Sequence, residues 1–387
     1  MIFSIERTIT VNFSHRVYFT RSVFSPQNQL LLDLLTPPDG GGLTKVLVVV
    51  DQGVANAFPN LLDQISIYMS SKVSSIELVH SPLVLPGGEA VKQNAQLVQF
   101  LYSQIAQFGI CRHSYVLAVG GGALLDLVGF IAATAHRGVR YGRLPTTTLA
   151  QADAGVGVKN GINAFGKKNF IGTFSPPFFV INDADFLQGT DQRGGIIESI
   201  KVALIRDALF FSEIERLADR LSNGDRSAME QIIQRSAELH VQHIAESGDP
   251  FEFASARPLD FGHWAAHKLE QMSRFALSHG EAVVLGLVLD TLYSRGKGML
   301  SASDTDRIMV LLKKLGFTIF SPLMKMIDMH GNWTLLEGLQ EFREHIGGEL
   351  TVTMLAGIGK GIEVHEMDSE LIKECVRELE KCVAPLS

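Results

Sequence analysis

The sequence predicts an α/β N-terminal domain of Rossmann-like, dinucleotide-binding type followed by an all-α domain. Residues 45–51, KVLVVVD, form a short, largely β-branched run of the kind buried on both faces of a parallel sheet. Residues 114–119 form a similar run that passes straight into Gly120, Gly121 and Gly122, and then into an apolar helical pattern reaching Thr134. After about residue 185 strand signals nearly vanish, and the pattern is helical to the end apart from an apolar segment at 350–356. The expected domains are therefore 1–185 and 186–387.

Taken in order, residues 1–24 alternate polar and apolar and read as a strand, and 25–44 close on the loop PPDGGG. Asp51 ends the first buried run, at the carboxyl edge where ligands bind in open α/β sheets. Residues 75–85 read as the next strand, PGGEAVK follows at 86–92, and 90–108 form an amphipathic helix. The strand, triple glycine and helix at 114–134 suit a phosphate group, because glycine lets the backbone approach and the helix start offers free N–H groups. A plain tight turn explains the same glycines. From His136 to Pro177 glycines and charges crowd together, which predicts loop and short helix carrying charge into a site. Residues 178–182 read as a last strand, with Asp183 and Asp185 as a cap.

A hydrophobic share of 46% excludes disorder, and a net charge of -7 gives no broad basic field for nucleic acid or an anionic membrane. Three cysteines without a CxxC pair suit a reducing cytoplasm. The N-terminus lacks a signal-peptide core, and the longest apolar run, 282–289, is far below the ~20 residues a membrane span needs. A soluble, cytoplasmic protein is expected.

The chemistry concentrates at 257–281, RPLDFGHWAAHKLEQMSRFALSHGE. His263 and His279, each beside a glycine at the edge of a helical pattern, can converge on one metal ion if a third ligand comes from elsewhere. Glu198, in GGIIESIK, shares a helix face with Lys201 amid apolar neighbours. Such a pair is commonly a solvated surface pair. A carboxylate with two histidines is also the composition of an open catalytic zinc site.

Over nearly its full length the chain resembles the sugar phosphate cyclases, the dehydroquinate-synthase-like superfamily. The blocks that carry the resemblance are PGGEAVK, GGGALLDLVGF, HRGV, PTTTLAQADAGVGVK, KKNFIGTF, IIESIK, GHWAAHKLE and SHGEAV. The resemblance implies that Glu198, His263 and His279 hold Zn2+ or Co2+. It places Asp51, Glu89, Lys92, Gly121, Gly122, Asp126, Thr146, Thr147 and Lys168 on NAD-contacting positions. Asp153, Lys159, Asn169, Lys201 and His267 fall on substrate-contacting positions, and Arg137 on one that reaches the phosphate across a homodimer interface. His267, four residues after His263, could instead simply close a packed helix. The implied reaction is transient oxidation by NAD, β-elimination of phosphate, re-reduction, ring opening and an intramolecular aldol closure, with no net redox change.

The stretch before His263 departs from dehydroquinate synthase. Ala256 stands where an arginine is expected, Pro258 replaces an aliphatic residue, Asp260 replaces an asparagine, and His243 stands near a substrate-binding lysine position. Losing cations and gaining Asp260 disfavours a substrate carboxylate, since an uncompensated desolvated anion pair costs several kcal/mol. The GDPFE and RPLDFGHWAAHKLE blocks resemble the sedoheptulose 7-phosphate cyclases, among them the 2-epi-5-epi-valiolone synthases. A heptulose phosphate with a neutral polyol head, sedoheptulose 7-phosphate, is the expected substrate.

Overall fold

The structure is a computed structural model that describes residues 3–36, 42–71, 75–189, 191–246, 258–345 and 348–383. It divides into two compact units, one of residues 1–145 and 158–183, the other of 146–157 and 184–387.

The first unit is built on a seven-stranded sheet. Its strands are β1 (Val17–Thr20), β2 (Thr44–Asp51), β3 (Ile76–Leu78), β4 (Leu83–Leu85), β5 (Tyr115–Gly120), β6 (Arg140–Pro145) and β9 (Phe179–Asp183). The order is β1-β9-β6-β5-β2-β3, with β4 also paired to β2, and every pairing is parallel. Val46 to Val50 in β2 and all of β5 are buried, as two-sided apolar runs require. Between β6 and β9 lies an antiparallel hairpin of β7 (Lys159–Ala164) and β8 (Lys167–Phe174).

Several expected elements take a different form. The strand expected at 75–85 is two short strands that meet β2 at successive registers. The helix expected at 90–108 is a 3-10 turn, Glu89–Gln93, and an α-helix, Ala95–Gln107, separated by Asn94, whose side chain caps the second piece. The span from His136 to Pro177, expected as loop and short helix, supplies central β6 and the hairpin as well as a helical turn at Ala150–Ala154. Its charge and glycine content conceal this because Arg143 is buried with polar partners supplied. Its guanidinium donates to the Lys159 carbonyl at 2.8 Å and to Asn160 Oδ1 at 2.7 Å. Gly142 is needed where Phe179 crosses β6, since a Cβ there would lie 2.6 Å from that ring. Asp183 accepts from the N–H groups of Ser22 and Val23 at 3.1 and 2.7 Å, so it ties down the turn after β1. Among the described residues of the expected N-terminal strand, only Val17–Thr20 is paired as a strand.

The second unit is helical, with helices Arg193–Arg206, Ala208–Ser222, Arg226–Glu246, His263–Met272, His279–Gly296, Ala302–Lys314, Glu337–His345 and Ser369–Val383. It is not purely α: β10 (Val352–Gly357) and β11 (Lys360–Val364) form an antiparallel hairpin. Residues 146–157, placed in the first half by sequence, group with the helices. Their π-helical turn, Ala150–Ala154, packs there, and Ser236 donates to the Ala152 carbonyl at 3.1 Å. Among the described residues no helix is long and apolar enough to cross a membrane.

Candidate functional site

In the helical unit, glycines let three helices approach closely enough to share a site. A Cβ on Gly286 would lie 1.9 Å from the Gly262 carbonyl oxygen, so the helix beginning at His279 meets the start of the His263 helix backbone to backbone. Gly262 itself has φ +79°, a left-handed turn that delivers His263 as the first helical residue. Gly280 abuts Gly194 in the first turn of the Glu198 helix, at 3.1 Å from a built Cβ to Cα. Ser278 and Glu281 form a reciprocal capping box, which fixes where the His279 helix begins.

The result is that Glu198, His263 and His279 each offer a ligand atom within 4.8 Å of the others. The outer ring nitrogens are engaged: His263 Nδ1 donates to the Phe261 carbonyl at 3.1 Å, and His279 Nδ1 lies 3.3 Å from Glu270 Oε2. Such partners orient a metal-binding imidazole and leave Nε2 as the lone pair. His279 Nε2 faces Glu198 Oε1 at 3.7 Å. Burial, followed by the nearby Lys201 charge, holds His263 well below the usual imidazole range, so its ring is neutral.

Glu198 is fully buried, and neither carboxylate oxygen has a hydrogen bond of acceptable angle, although Lys201 Nζ lies 2.5 Å away. Burial raises its pKa, and Lys201 opposes that rise only in part. A desolvated carboxylate beside two imidazoles is a set that a divalent cation completes.

Lys201 also approaches Asp153 at 3.3 Å, and the other Asp153 oxygen lies 2.7 Å from His240 Nδ1. Burial works against ionising Asp153, but Lys201 and then His240 outweigh it and hold the carboxyl well below its ordinary range. For Lys201 the burial penalty is likewise overcome, by Asp153 and Glu198, with a smaller push from Asp260. The His267 ring lies 5.4 Å from that of His263 and 6.2 Å from that of His279. Thr147 Oγ1 accepts from Ala150 N at 3.1 Å, while the buried Thr146 hydroxyl has no hydrogen-bond partner among the described residues.

Two functional candidates escaped the sequence reading. His243 is buried on its helix, but it is His240 whose ring meets Asp153. No local sequence signal selected it: only in the structure does Ser236, one turn earlier, bond to Ala152 and align this face with the turn that carries Asp153. Glu270 follows His263 by seven residues, two helical turns, and therefore shares its face. Ala256 lies outside the described residues.

In the α/β unit the glycine turn closes β5, and Gly121 precedes the helix Gly122–Thr134, whose start has no side-chain cap. Its N–H groups thus suit an anionic ligand. Asp51 caps its own helix through Gly53 N at 2.7 Å. It also stands against two of the glycine blocks: a Cβ on Gly87 would lie 2.3 Å from Oδ2, and one on Gly120 would lie 3.0 Å from the Asp51 Cβ.

Glu89, Lys92, Asp126 and Asn169 form one network. Lys92 donates to Asp126 at 2.8 Å and to Asn169, and lies 3.7 Å from Glu89, which accepts from Asn163 at 2.8 Å. Burial would lower the Lys92 ammonium, but Asp126 and Glu89 outweigh it and raise its pKa. Asn169 is held in the left-handed region, φ +54°, with its N–H on Asn163 Oδ1. Lys159 and Lys168 lie on β7 and β8, the first exposed and the second half-buried. Arg137 is exposed at φ +62°, beside His136 at φ +52°.

A parallel α/β sheet with a glycine turn, joined in one chain to a helical unit carrying a two-histidine, one-carboxylate cluster, defines a nucleotide-and-metal type of enzyme architecture. Residues 82–196 match the family model "3-dehydroquinate synthase N-terminal" and residues 195–331 "3-dehydroquinate synthase C-terminal". The 3-dehydroquinate synthase of Nitrosococcus oceani is 31% identical over 376 residues, 95% of this chain and 98% of that one. That of Pelobacter propionicus is 36% identical over 244 residues, 62% and 67% of the two chains. The chain belongs to the 3-dehydroquinate synthase family and is an enzyme of the sugar phosphate cyclase superfamily.

Two solved structures share the fold. One is 2-epi-5-epi-valiolone synthase from Streptomyces hygroscopicus with NAD+ and Zn2+ bound, at TM-score 0.84 and 24% identity, covering 98% of this chain and 100% of that one. The other is 2-deoxy-scyllo-inosose synthase complexed with carbaglucose-6-phosphate, NAD+ and Co2+, at TM-score 0.72 and 23% identity, covering 94% and 96%.

Proposed function

We propose that the enzyme cyclises sedoheptulose 7-phosphate to a C7 cyclitol, 2-epi-5-epi-valiolone, with release of phosphate. The observation that carries the substrate choice is charge. Glu198, Asp153 and Asp260 bear on Lys201, with His263 neutral, so among the described residues around Lys201 carboxylates outnumber cations. A divalent ion would balance this set, whereas a further carboxylate on the substrate would unbalance it again. A neutral polyol head fits better.

NAD would accept and return a hydride, and Zn2+ or Co2+ held by Glu198, His263 and His279 would acidify and polarise the hydroxyls it touches. Asp51, Glu89, Lys92, Gly121, Gly122, Asp126, Thr146, Thr147 and Lys168 are assigned to NAD by motif position. Asp153 and Lys201, fixed charges of opposite sign, orient hydroxyls and move protons, and His240 holds Asp153 for that purpose. Lys159, Asn169 and His267 are assigned to the phosphate, which needs cationic and directional donors. Arg137 is assigned to the same group across a homodimer interface. Asp260 and His243 are assigned to the polyol end.

The curated relatives favour a second reading, 3-dehydroquinate synthase itself, on which the substrate carries a carboxylate. Incubation of each sugar phosphate with the protein, NAD and zinc or cobalt, followed by NMR of the product, separates the two. A C7 cyclitol from the heptulose phosphate supports the first; dehydroquinate from its own precursor, with the heptulose phosphate inert, supports the second.

A further inference from the structure

Asp290 lies three turns into the helix His279–Gly296 and is fully buried. Desolvation makes a carboxylate costly there, a cost that an apolar side chain of similar size would avoid. No cation pairs with it among the described residues. Its partners are two N–H groups, Gly262 N at 3.1 Å and Trp264 Nε1 at 2.9 Å. Packing therefore gives no reason for an aspartate here, whereas its relation to His263 does.

The Gly262 N–H belongs to the same peptide group as the Phe261 carbonyl. Such a group is planar and here trans, so its N–H and C=O point in opposite directions. Asp290 Oδ2 holds the N–H end at 3.1 Å, and the C=O end accepts from His263 Nδ1, also at 3.1 Å. One rigid plane thus joins the carboxylate to the imidazole. Rotating that plane would break both bonds together, so fixing the N–H fixes the carbonyl that orients the ring. A carboxylate on the N–H also polarises the C=O, which makes it a stronger acceptor and the imidazole Nε2 a stronger lone-pair donor.

The other histidine is tied to the same device. Gly286 and Asp290 follow His279 by seven and eleven residues, two and three turns, so all three share one face of their helix. A Cβ on Gly262 would lie 2.8 Å from Leu287 N, so Gly262 is pressed against that face next to Gly286. The helix that presents His279 in its first turn therefore also grips the residue before His263, by contact at Gly286 and by hydrogen bond at Asp290.

We propose that Asp290 is a positioning residue for the metal centre: through the Phe261–Gly262 peptide it sets the direction and the basicity of the His263 imidazole. This role presupposes that Glu198, His263 and His279 are the ligands, and it is independent of which sugar is turned over.

Cobalt titration of the metal-free, full-length protein, followed by the visible absorption of bound Co2+, tests the two layers separately. Unmodified protein should bind one ion per chain and Glu198→Gln should bind none. Absence of binding in the first, or its retention in the second, removes the ligand set and the proposal with it. With the ligand set in place, Asp290→Leu, which abolishes both bonds, should weaken cobalt binding about 10–100-fold, the scale for losing a partner behind a metal ligand. Asp290→Asn, which keeps one carbonyl acceptor but no charge, should fall between that variant and the native protein. Lys268→Met is the control for loosening the same helix, because Lys268 Nζ ties it to Glu337 and Glu341 at 2.7 Å each, and it should leave cobalt affinity unchanged. Circular dichroism establishes that each protein is folded at the titration temperature; should the leucine variant not fold, the asparagine variant decides alone. Native cobalt affinity in a folded Asp290 variant, or an equal loss in Lys268→Met, would overturn the proposal.

Discussion

Lys201 sets its ammonium 2.5 Å from Glu198 and 3.3 Å from Asp153, so a single buried cation serves one buried and one half-buried carboxylate. The two carboxylates diverge in response: burial dominates at Glu198 and raises its pKa, whereas Lys201 and His240 together depress Asp153 below its ordinary range. One charge thus remains to be compensated on the Glu198 side, where the two histidines converge.

Replacing Glu198 by Gln removes that charge and one ligand while preserving shape. Metal content per protomer, measured by inductively coupled plasma mass spectrometry after dialysis, is expected to fall from near stoichiometric to background. Turnover should fall by roughly 10²–10³-fold, the usual effect of losing one electrostatic stabiliser. Full metal retention would remove Glu198 from the ligand set.

His240 touches Asp153 and is absent from the metal cluster, so its loss should act on proton handling alone. His240→Asn is expected to lower kcat by about 10–10²-fold with metal content unchanged. An equal fall in bound metal would instead mean that the residue supports the fold of the site.

Asp260 bears on Lys201 and His263 through its charge. Asp260→Asn should weaken use of the heptulose phosphate by about tenfold or more, the scale of a lost charged hydrogen bond. NAD affinity by titration should stay constant. Equal losses in both measurements would count against a place in the substrate pocket.

Asp290 is fully buried behind His263, accepting from Trp264 Nε1 at 2.9 Å and Gly262 N at 3.1 Å. Burial pushes its carboxyl up to about 7 from 3.8, only partly opposed by those two donors. Between these values the folded chain binds a proton that the unfolded chain releases, so stability declines as pH rises through the window. The full difference is on the order of 4 kcal/mol. Urea unfolding at pH 5 and pH 8 should show this decline in the native protein and a flatter profile in Asp290→Asn. Parallel profiles would contradict the assignment.

The two-sided strands β2 and β5 were legible because uninterrupted β-branched runs have few other uses. The helix starts at His263 and His279 were legible from the glycine beside each and the helical pattern that follows. Strand β6 was not, because Arg143 looks like a surface residue until Asn160 and the Lys159 carbonyl are seen to receive it. Gly129 makes the room for Asn160, since a Cβ there would lie 1.9 Å from its Oδ1, and no local pattern announces such a pairing. His240 was missed for the same reason. Its partner Asp153 is 87 positions away in sequence, and helical phase alone did not choose between it and His243.

Selectivity for a sugar phosphate with a neutral polyol head is read most directly from kcat/KM for phosphate release from sedoheptulose 7-phosphate and from the dehydroquinate precursor, with zinc or cobalt present and NAD far below substrate. Many turnovers per NAD are expected on the heptulose phosphate, and little or none on the carboxylate-bearing sugar. Turnover of the carboxylate-bearing sugar with the heptulose phosphate inert would contradict that selectivity.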